Sequence, residues 1–507
     1  MAEPQLGVVA AGHPLSAQRG AEVLREGGNA VDAALAAMLT SFACEPLLTG
    51  LGAGGYMLVV APDREPVLLD FFVGVPGEGV DPAERSELVP VSVSFGDAVQ
   101  IFNIGAASVG VYGVPAGLAE AAERFGSVPL EDLARPAARL ARRGVPLSAE
   151  QAYVFEILAG IVTSTPEATA LFAPEGRVLR EGDVVRQPEL ADTIERLATE
   201  GAAPFYDGDI AAASVEWVAA QGGLLGAADL EAYRVVDRTP VHVDYRGREV
   251  LTNPPPSAGG ILIALALGML GSRPGPPGIE RIVEAMERTQ AARTPAFLEG
   301  LDDPQFVSRF LGAPRSPGSG RAGRWGSTTH IGVLDADGWA CSVTCSNGEG
   351  AGLIVPGTGI HLNNMLGEED LNPLGFHRHP AGRRLPSMMA PTVVLRDGEP
   401  ELVVGSAGSN RIRSAILQTI IRVLDEGMQA QEAVDAPRVH YEDGRVYAEP
   451  GVDVGPLERG GRKIARFRSR NLFFGGTQAA VRDETGSFSG GGDPRRGGAA
   501  IVVQSEK

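Results

Sequence analysis

Thr328 is the residue around which chemistry can be built. It stands in Gly326-Ser327-Thr328-Thr329-His330-Ile331-Gly332-Val333, after a run from Gly312 to Ser327 that lacks acidic residues and is rich in Gly, Pro, Ser and Arg. Such a run reads as an exposed linker. If the bond before Thr328 is cut, the threonine carries a nucleophilic hydroxyl and a free α-amine able to act as its base. The bland reading is a β-branched residue entering a strand, which is ordinary composition. A second stretch with chemical potential is Gly405-Ser406-Ala407-Gly408-Ser409-Asn410, ahead of a helix expected from about Arg411 to Gly427. Backbone N–H groups at a helix N-terminus can hold an oxyanion, although the same strand–loop–helix pattern is also a common packing device.

The elements that position these residues can be read from periodicity and punctuation. Alternating apolar residues from Thr329, the turn Asp335-Ala336-Asp337-Gly338 and the run Trp339 to Thr344 predict a hairpin. Thr392–Leu395 and Glu401–Gly405, joined at Asp397-Gly398, predict another. Towards the N-terminus, a strand from Gly7 to Ala11 leads to a helix from Ser16, its N-cap, to Glu26, stopped by Gly27-Gly28. Asn29 to Phe42 reads as a buried helix, apolar nearly all round. Gly52-Ala53-Gly54-Gly55 precedes a strand rather than a helix, so it is not a dinucleotide loop; close backbone packing accounts for it better. Helices are expected at Ala116–Phe125, Leu130–Arg143, Ser148–Ala159 and Gln187–Thr199. Pro254 to Gly260 reads as a stiff turn ending at a buried helix from Ile261, followed by one long amphipathic helix from Ile279 to Gly300. Gln478–Asp483 and Ala499–Val503 read as strands, with Gly490-Gly491-Gly492 in the connection between them.

Composition bounds the function class. The 507 residues are 44% hydrophobic and only 21% charged, which indicates a packed globular protein. The net charge of −19 argues against a nucleic-acid or anionic-membrane partner. Three cysteines, Cys44, Cys341 and Cys345, cannot form a dense disulfide framework, and no metal centre is expected. The first residues show neither a basic segment nor an apolar core of a signal peptide, and no apolar run is long enough for a membrane span. A cytoplasmic location is the expectation.

Taken in order, the motifs resemble the γ-glutamyltranspeptidase family of N-terminal nucleophile hydrolases. Those motifs are Gly27-Gly28-Asn29-Ala30-Val31-Asp32-Ala33-Ala34, Gly52 to Met57, Gly113-Val114-Pro115-Ala116-Gly117 and Phe205-Tyr206-Asp207-Gly208. They continue with Asp229 to Tyr233, Pro254 to Gly260, Thr328-Thr329-His330, Leu362-Asn363-Asn364, Ala390-Pro391-Thr392 and Gly492-Asp493-Pro494-Arg495. The resemblance implies an α+β fold, a four-layer αββα sandwich of two mainly antiparallel sheets flanked by helices. It implies self-cleavage between Ser327 and Thr328, giving portions 1–327 and 328–507 that stay associated as one unit. It also implies that Thr328 is the nucleophile, that Ser346 supplies an orienting hydroxyl where threonine is usual, and that Gly408 and Ser409 form the oxyanion site. The expected partner is a small-molecule amide, with no cofactor.

The residues that hold the family's γ-glutamyl group are changed. Phe72 stands where the carboxylate-binding arginine is usual, and Ser387-Met388 stand for two serines. Gly348, Met365 and Glu368 match the asparagine, glutamine and aspartate that hold the ammonium. A phenylalanine cannot make a bidentate, charge-assisted contact. The expectation is retained acyl-transfer chemistry with an altered acyl group, glutaryl-like or less polar, for which Arg411, Arg413, Arg383 or Arg384 could supply a new cation. Two other readings stand beside it: a conventional γ-glutamyltranspeptidase with non-standard binding residues, and a silent ligand-binding homologue.

Overall fold

The computed structural model describes residues 4–81, 85–94, 99–303, 305–312 and 328–505. The expected linker falls almost wholly on 313–327, outside the described residues, as does Ser327.

Thirteen strands build two stacked sheets: β1 (Gln5–Ala11), β2 (Gly54–Val60), β3 (Val67–Phe71), β4 (Val236–Arg238), β5 (Val241–Tyr245), β6 (Arg248–Thr252), β7 (Thr329–Asp335), β8 (Ala340–Ser346), β9 (Thr392–Arg396), β10 (Glu399–Ala407), β11 (Gly476–Arg482), β12 (Phe488–Gly492) and β13 (Ala499–Gln504). The first sheet runs β13-β1-β7-β8-β2-β3-β4 and the second β12-β11-β10-β9-β6-β5. Neighbouring strands in both are antiparallel. Helices α1 (Pro14–Arg25) and α2 (Ala30–Cys44), backed by α3 (Leu130–Arg143) and α4 (Pro188–Glu200), cover the outer face of the first sheet. Helices α5 (Gly259–Gly271), α6 (Ile279–Ala291) and α7 (Arg411–Leu424) lie on the outer side of the second. This is the αββα sandwich. Among the described residues no helix is long and apolar enough to cross a membrane.

Strand alternation divides the core. Ile331, Val333, Cys341 and Val343 pack towards α2, whereas Leu334 and Ala340 face the second sheet with Tyr56 and Leu58. All fifteen residues of α2 are buried, so it depends on its cap: Asn29 accepts from the Val31 and Asp32 N–H groups, and Asp32 accepts from the Asn29 N–H. Asp335, at the end of β7, accepts from Ala30 N at 2.9 Å and ties this helix to the strand that begins beside Thr328. The glycines leading into and opening β2 do mark close backbone approach: a Cβ would come within 2.4 Å of His361 O at Gly52 and 2.7 Å of Val73 N at Gly54.

Four local expectations are corrected. His13, not Ser16, caps α1, because Pro14 fits the first helical turn; Ser16 lies inside, its hydroxyl 3.3 Å from Cys44 Sγ. Helix α5 starts at Gly259 rather than Ile261. The long helix from Ile279 is two, because Thr294 caps a second helix, Pro295–Gly300. Gly490-Gly491-Gly492 belongs to β12: a Cβ at Gly491 would meet Ala430 O at 2.6 Å, so the glycines admit a neighbouring segment.

Candidate active site

Register brings the hydroxyls together. Thr329 pairs with Cys345 and His330 with Thr344, so the next position pairs Thr328 with Ser346 across β7 and β8. The Thr328 hydroxyl donates to Ser346 Oγ at 3.3 Å, and Ser346 Oγ accepts from the Gly348 N–H at 3.1 Å. Thr328 is 3% exposed. Thr329, one residue on, points the other way and donates to both carboxylate oxygens of Glu45, at 3.1 and 3.2 Å. Burial pushes the Glu45 carboxyl up to about 7, against the opposing pull of that hydrogen bond and of Arg496. The segment after Glu45 also braces the second strand, since Leu48 O accepts from Asn347 N. Sequence reasoning missed Glu45; its signal was a lone acid ending an apolar helix.

Thr328 and Ser346 open on a cavity of about 30 Å³, room for about two waters. Its walls are Phe72, Met365, Leu371, Met388, Met389 and Ile412, with Glu368, Ser387 and Ser409 as the other polar groups. Eight expected residues therefore converge: Thr328, Ser346, Ser409, Phe72, Met365, Glu368, Ser387 and Met388. Gly348 stands just behind, with φ 65°; a Cβ there would lie 2.0 Å from Asn364 Oδ1 and 2.9 Å from Glu368 Oε1. An asparagine at 348 would collide with Glu368 unless that side chain moved. Gly408, φ 113°, and Ser409, φ 50°, turn the chain from β10 into α7. A larger cavity of about 630 Å³ lies between α1 and α3 and shares no residue with this one.

Local structure explains the walls. Phe72 stacks on Tyr56, ring centroids 5.2 Å apart, while its carbonyl accepts from the Tyr233 hydroxyl and Arg384. The Pro254–Gly260 turn buttresses residues 387–389: Ser257 Oγ donates to the carbonyls of Ser387 and Met389, and Asn253 Nδ2 to Met389 O. Ser387 Oγ accepts from Met389 N at 3.0 Å, a local turn bond. Burial raises the Glu368 acid well above the usual range, and the adjacent Glu349 carboxylate, hydrogen-bonded to it, raises it further.

None of the four arginines considered as replacement cations lines the cavity. Arg384 pairs with Asp70 at 3.4 Å and lies over the Tyr233 ring; Arg383 pairs with Asp302 at 2.8 Å. Arg413 donates to Gln290 at 2.9 Å. Arg411 is fully buried, 3.7 Å from Glu442 and over the Phe473 ring. The acids nearest its charge are Glu442, Asp370, Glu368 and Glu349.

Several motifs of the resemblance turn out to hold the fold together. Asp493 takes Arg438 at 2.7 Å and Arg495 at 3.1 Å, with all three buried. Asp32 accepts from Ser127 and Val128 beyond its capping role.

Two stacked antiparallel sheets between helices, with a hydroxyl residue at the head of an inner strand, define the N-terminal nucleophile type of hydrolase fold. The family profile described as Gamma-glutamyltranspeptidase matches residues 16–503, and the chain belongs to that family of amide hydrolases and acyltransferases. It is similar to the glutathione hydrolase proenzyme of Bacillus subtilis (strain 168), 30% identical over 99% of this chain and 92% of that one. It is 32% identical to the acylase ACY 1 proenzyme of Pseudomonas sp. (strain SE83), over 98% and 93% of the two chains. Among solved structures, cephalosporin acylase from Bacillus halodurans matches with a TM-score of 0.84 and 26% identity, covering 100% of this chain and 97% of that one.

Proposed function

We propose that the protein is a self-processing amidohydrolase that uses Thr328 as an N-terminal nucleophile and prefers an uncharged, largely apolar acyl group. The observation that carries this reading is the lining of the cavity beside Thr328: three methionines, Phe72, Leu371 and Ile412, a single acid, Glu368, whose ionised form is disfavoured by burial and by Glu349, and no cation. A substrate carboxylate brought there would be buried without a partner, a loss of about 3–5 kcal/mol relative to a site that pairs it. Methionines re-pack readily around varied apolar groups. Relatives named as acylases, beside others named as glutathione hydrolases, support a family site that accepts more than one acyl group.

In processing, Thr328 Oγ attacks the Ser327 carbonyl carbon, the Thr328 nitrogen leaves and takes up a proton, and water hydrolyses the resulting ester. This frees the Thr328 amine and leaves portions 1–327 and 328–507 associated through interleaved strands; β1 lies between β13 and β7. In turnover the amine accepts the hydroxyl proton as Oγ attacks the substrate amide carbon. Ser346 orients the hydroxyl, and N–H groups of the Gly408–Ser409 turn stabilise the oxyanion, a contribution of roughly 3–4 kcal/mol per donor where one has been deleted elsewhere. The tetrahedral adduct collapses, the leaving amine takes the proton, and water attacks the acyl-Thr328 ester.

A panel of hexanoyl, glutaryl and γ-glutamyl anilides tests the proposal. Hexanoyl release at least tenfold faster in kcat/KM than either charged substrate is the expected result. Brisk γ-glutamyl release with no hexanoyl release would return the protein to a conventional γ-glutamyltranspeptidase. A full-length chain that never cleaves and turns over none of the three would mark a silent homologue.

A further inference from the structure

Ser409 is unusual in its turn. Its φ of 50° is left-handed, a conformation that a residue with a side chain keeps only when its surroundings hold it there. The hold is visible. Ser409 Oγ donates to Asp370 Oδ2, and the next residue, Asn410, donates from Nδ2 to Asp370 Oδ1 at 3.1 Å. One carboxylate therefore takes a hydrogen bond on each oxygen from two successive residues of the turn. Asn410 is fixed in its own right: its Nδ2 also reaches Glu442 Oε1 at 2.9 Å, and its Oδ1 accepts from Arg293 at 3.0 Å. Asp370, Asn410 and Arg293 are all buried and come from three separate segments. The Asp370 loop is itself stiffened by Asn372, whose Nδ2 donates to the carbonyls of Met365, Leu366 and Glu368. Asp370 is not among the residues lining the cavity beside Thr328.

From this geometry we infer that Asp370 is a positioning residue for the oxyanion turn. By clamping Ser409 and Asn410, with Arg293 as the counter-brace, it sets the left-handed Ser409 backbone so that the turn's N–H groups meet the developing oxyanion on the Thr328 adduct. The inference rests on the reading of this turn as the oxyanion site. The competing account is charge balance alone, with Asp370 merely neutralising buried arginines. The two differ in what glycine at 409 should do. Glycine adopts positive φ without help, so it makes the clamp unnecessary but leaves the charge balance untouched.

The experiment compares full-length wild type, Asp370→Asn, Ser409→Gly and the double variant. It measures kcat and KM on whichever anilide the wild type turns over, and amide hydrogen exchange in peptides spanning residues 405–412. Since deleting an oxyanion donor outright costs 10²–10³-fold, a misaimed turn should lower kcat about 10- to 100-fold in Asp370→Asn, with KM within about twofold. Exchange in 405–412 should quicken at least about tenfold, because an amide held only by local order exchanges as that order opens. In the double variant kcat should return to within about threefold of Ser409→Gly. A loss that glycine does not rescue, or exchange and kcat both unchanged in Asp370→Asn, overturns the inference. If the wild type neither cleaves itself nor turns over any anilide, the Thr328 reading has failed by itself, while exchange still decides whether Asp370 holds the turn. Should Asp370→Asn not fold, Ser409→Ala removes the same bond without disturbing a buried charge, and the same fall in kcat is expected.

Discussion

Thr328 and Ser346 meet across two hydrogen-bonded strands, so strand register fixes their separation. Phe72, Met365 and Met388 reach the same cavity from connections outside those strands. The two walls therefore answer to different constraints. On the nucleophile side a change in one residue's geometry propagates along the sheet, since a register slip turns each side chain to the opposite face. On the acyl side a thioether such as Met365 or Met388 can be exchanged for another side chain without a change of strand register. In the function proposed above, chemistry falls to the part that is hard to alter and specificity to the part that is easy to alter.

That contrast can be broken or sharpened by substitution. Thr328→Ala should lower kcat on any amide by about 10⁴-fold or more and leave the 52.8 kDa chain uncut on mass spectrometry. Cleavage persisting between residues 327 and 328 would place the nucleophile elsewhere. Next in size, Phe72→Ala removes a ring buried against Tyr56 and should cost about 3–5 kcal/mol in urea unfolding. A cost below ~1 kcal/mol would show that the acyl wall carries little of the core. Glu45→Gln tests the brace behind Thr329. The Glu45 acid titrates near 4.5 when unfolded and about 7 when folded, so the native state keeps a proton that the unfolded chain has lost. Wild-type stability should therefore fall as pH rises from 4.5 to 7, while Gln has no proton to lose. The variant's advantage over wild type should grow by roughly 3 kcal/mol across that range; a difference that stays constant with pH would remove the titration from Glu45. Smallest is Met388→Ser, expected to raise KM for a hexanoyl anilide roughly tenfold while kcat changes less than about threefold, in keeping with 1–3 kcal/mol per buried methylene. An equal fall in kcat would mean that Met388 also orders the reacting groups.

The sequence was most informative where local chemistry decides the outcome. The β7–β8 hairpin, with Gly338 at φ 89°, and the β9–β10 turn, with Gly398 at φ 86°, follow from strand alternation and turn residues. The residues facing Thr328 followed from ordered motifs, and seven of them meet it in one cavity. Less visible were contacts between distant segments. Nothing near Asp370 announces that its carboxylate reaches Ser409 and Asn410, and Arg411, considered as a replacement cation for the cavity, is instead buried among acids from distant segments. The glycine run at 490–492 misled for the same reason, because glycine in a strand serves a neighbour that only the fold supplies.

The opposite facing of Thr328 and Thr329 has a consequence for maturation. Two adjacent threonines look interchangeable as a new N-terminus, yet only Thr328 turns its hydroxyl into the cleft; Thr329 spends its own on Glu45 behind the sheet. A cut misplaced by a single residue would yield a protein of almost unchanged mass and fold that begins with threonine and is inert. Under the proposed Thr328 mechanism, single-residue fidelity of cleavage is a condition of activity, and sequencing the first residue of the smaller fragment is a more telling assay of competence than its size.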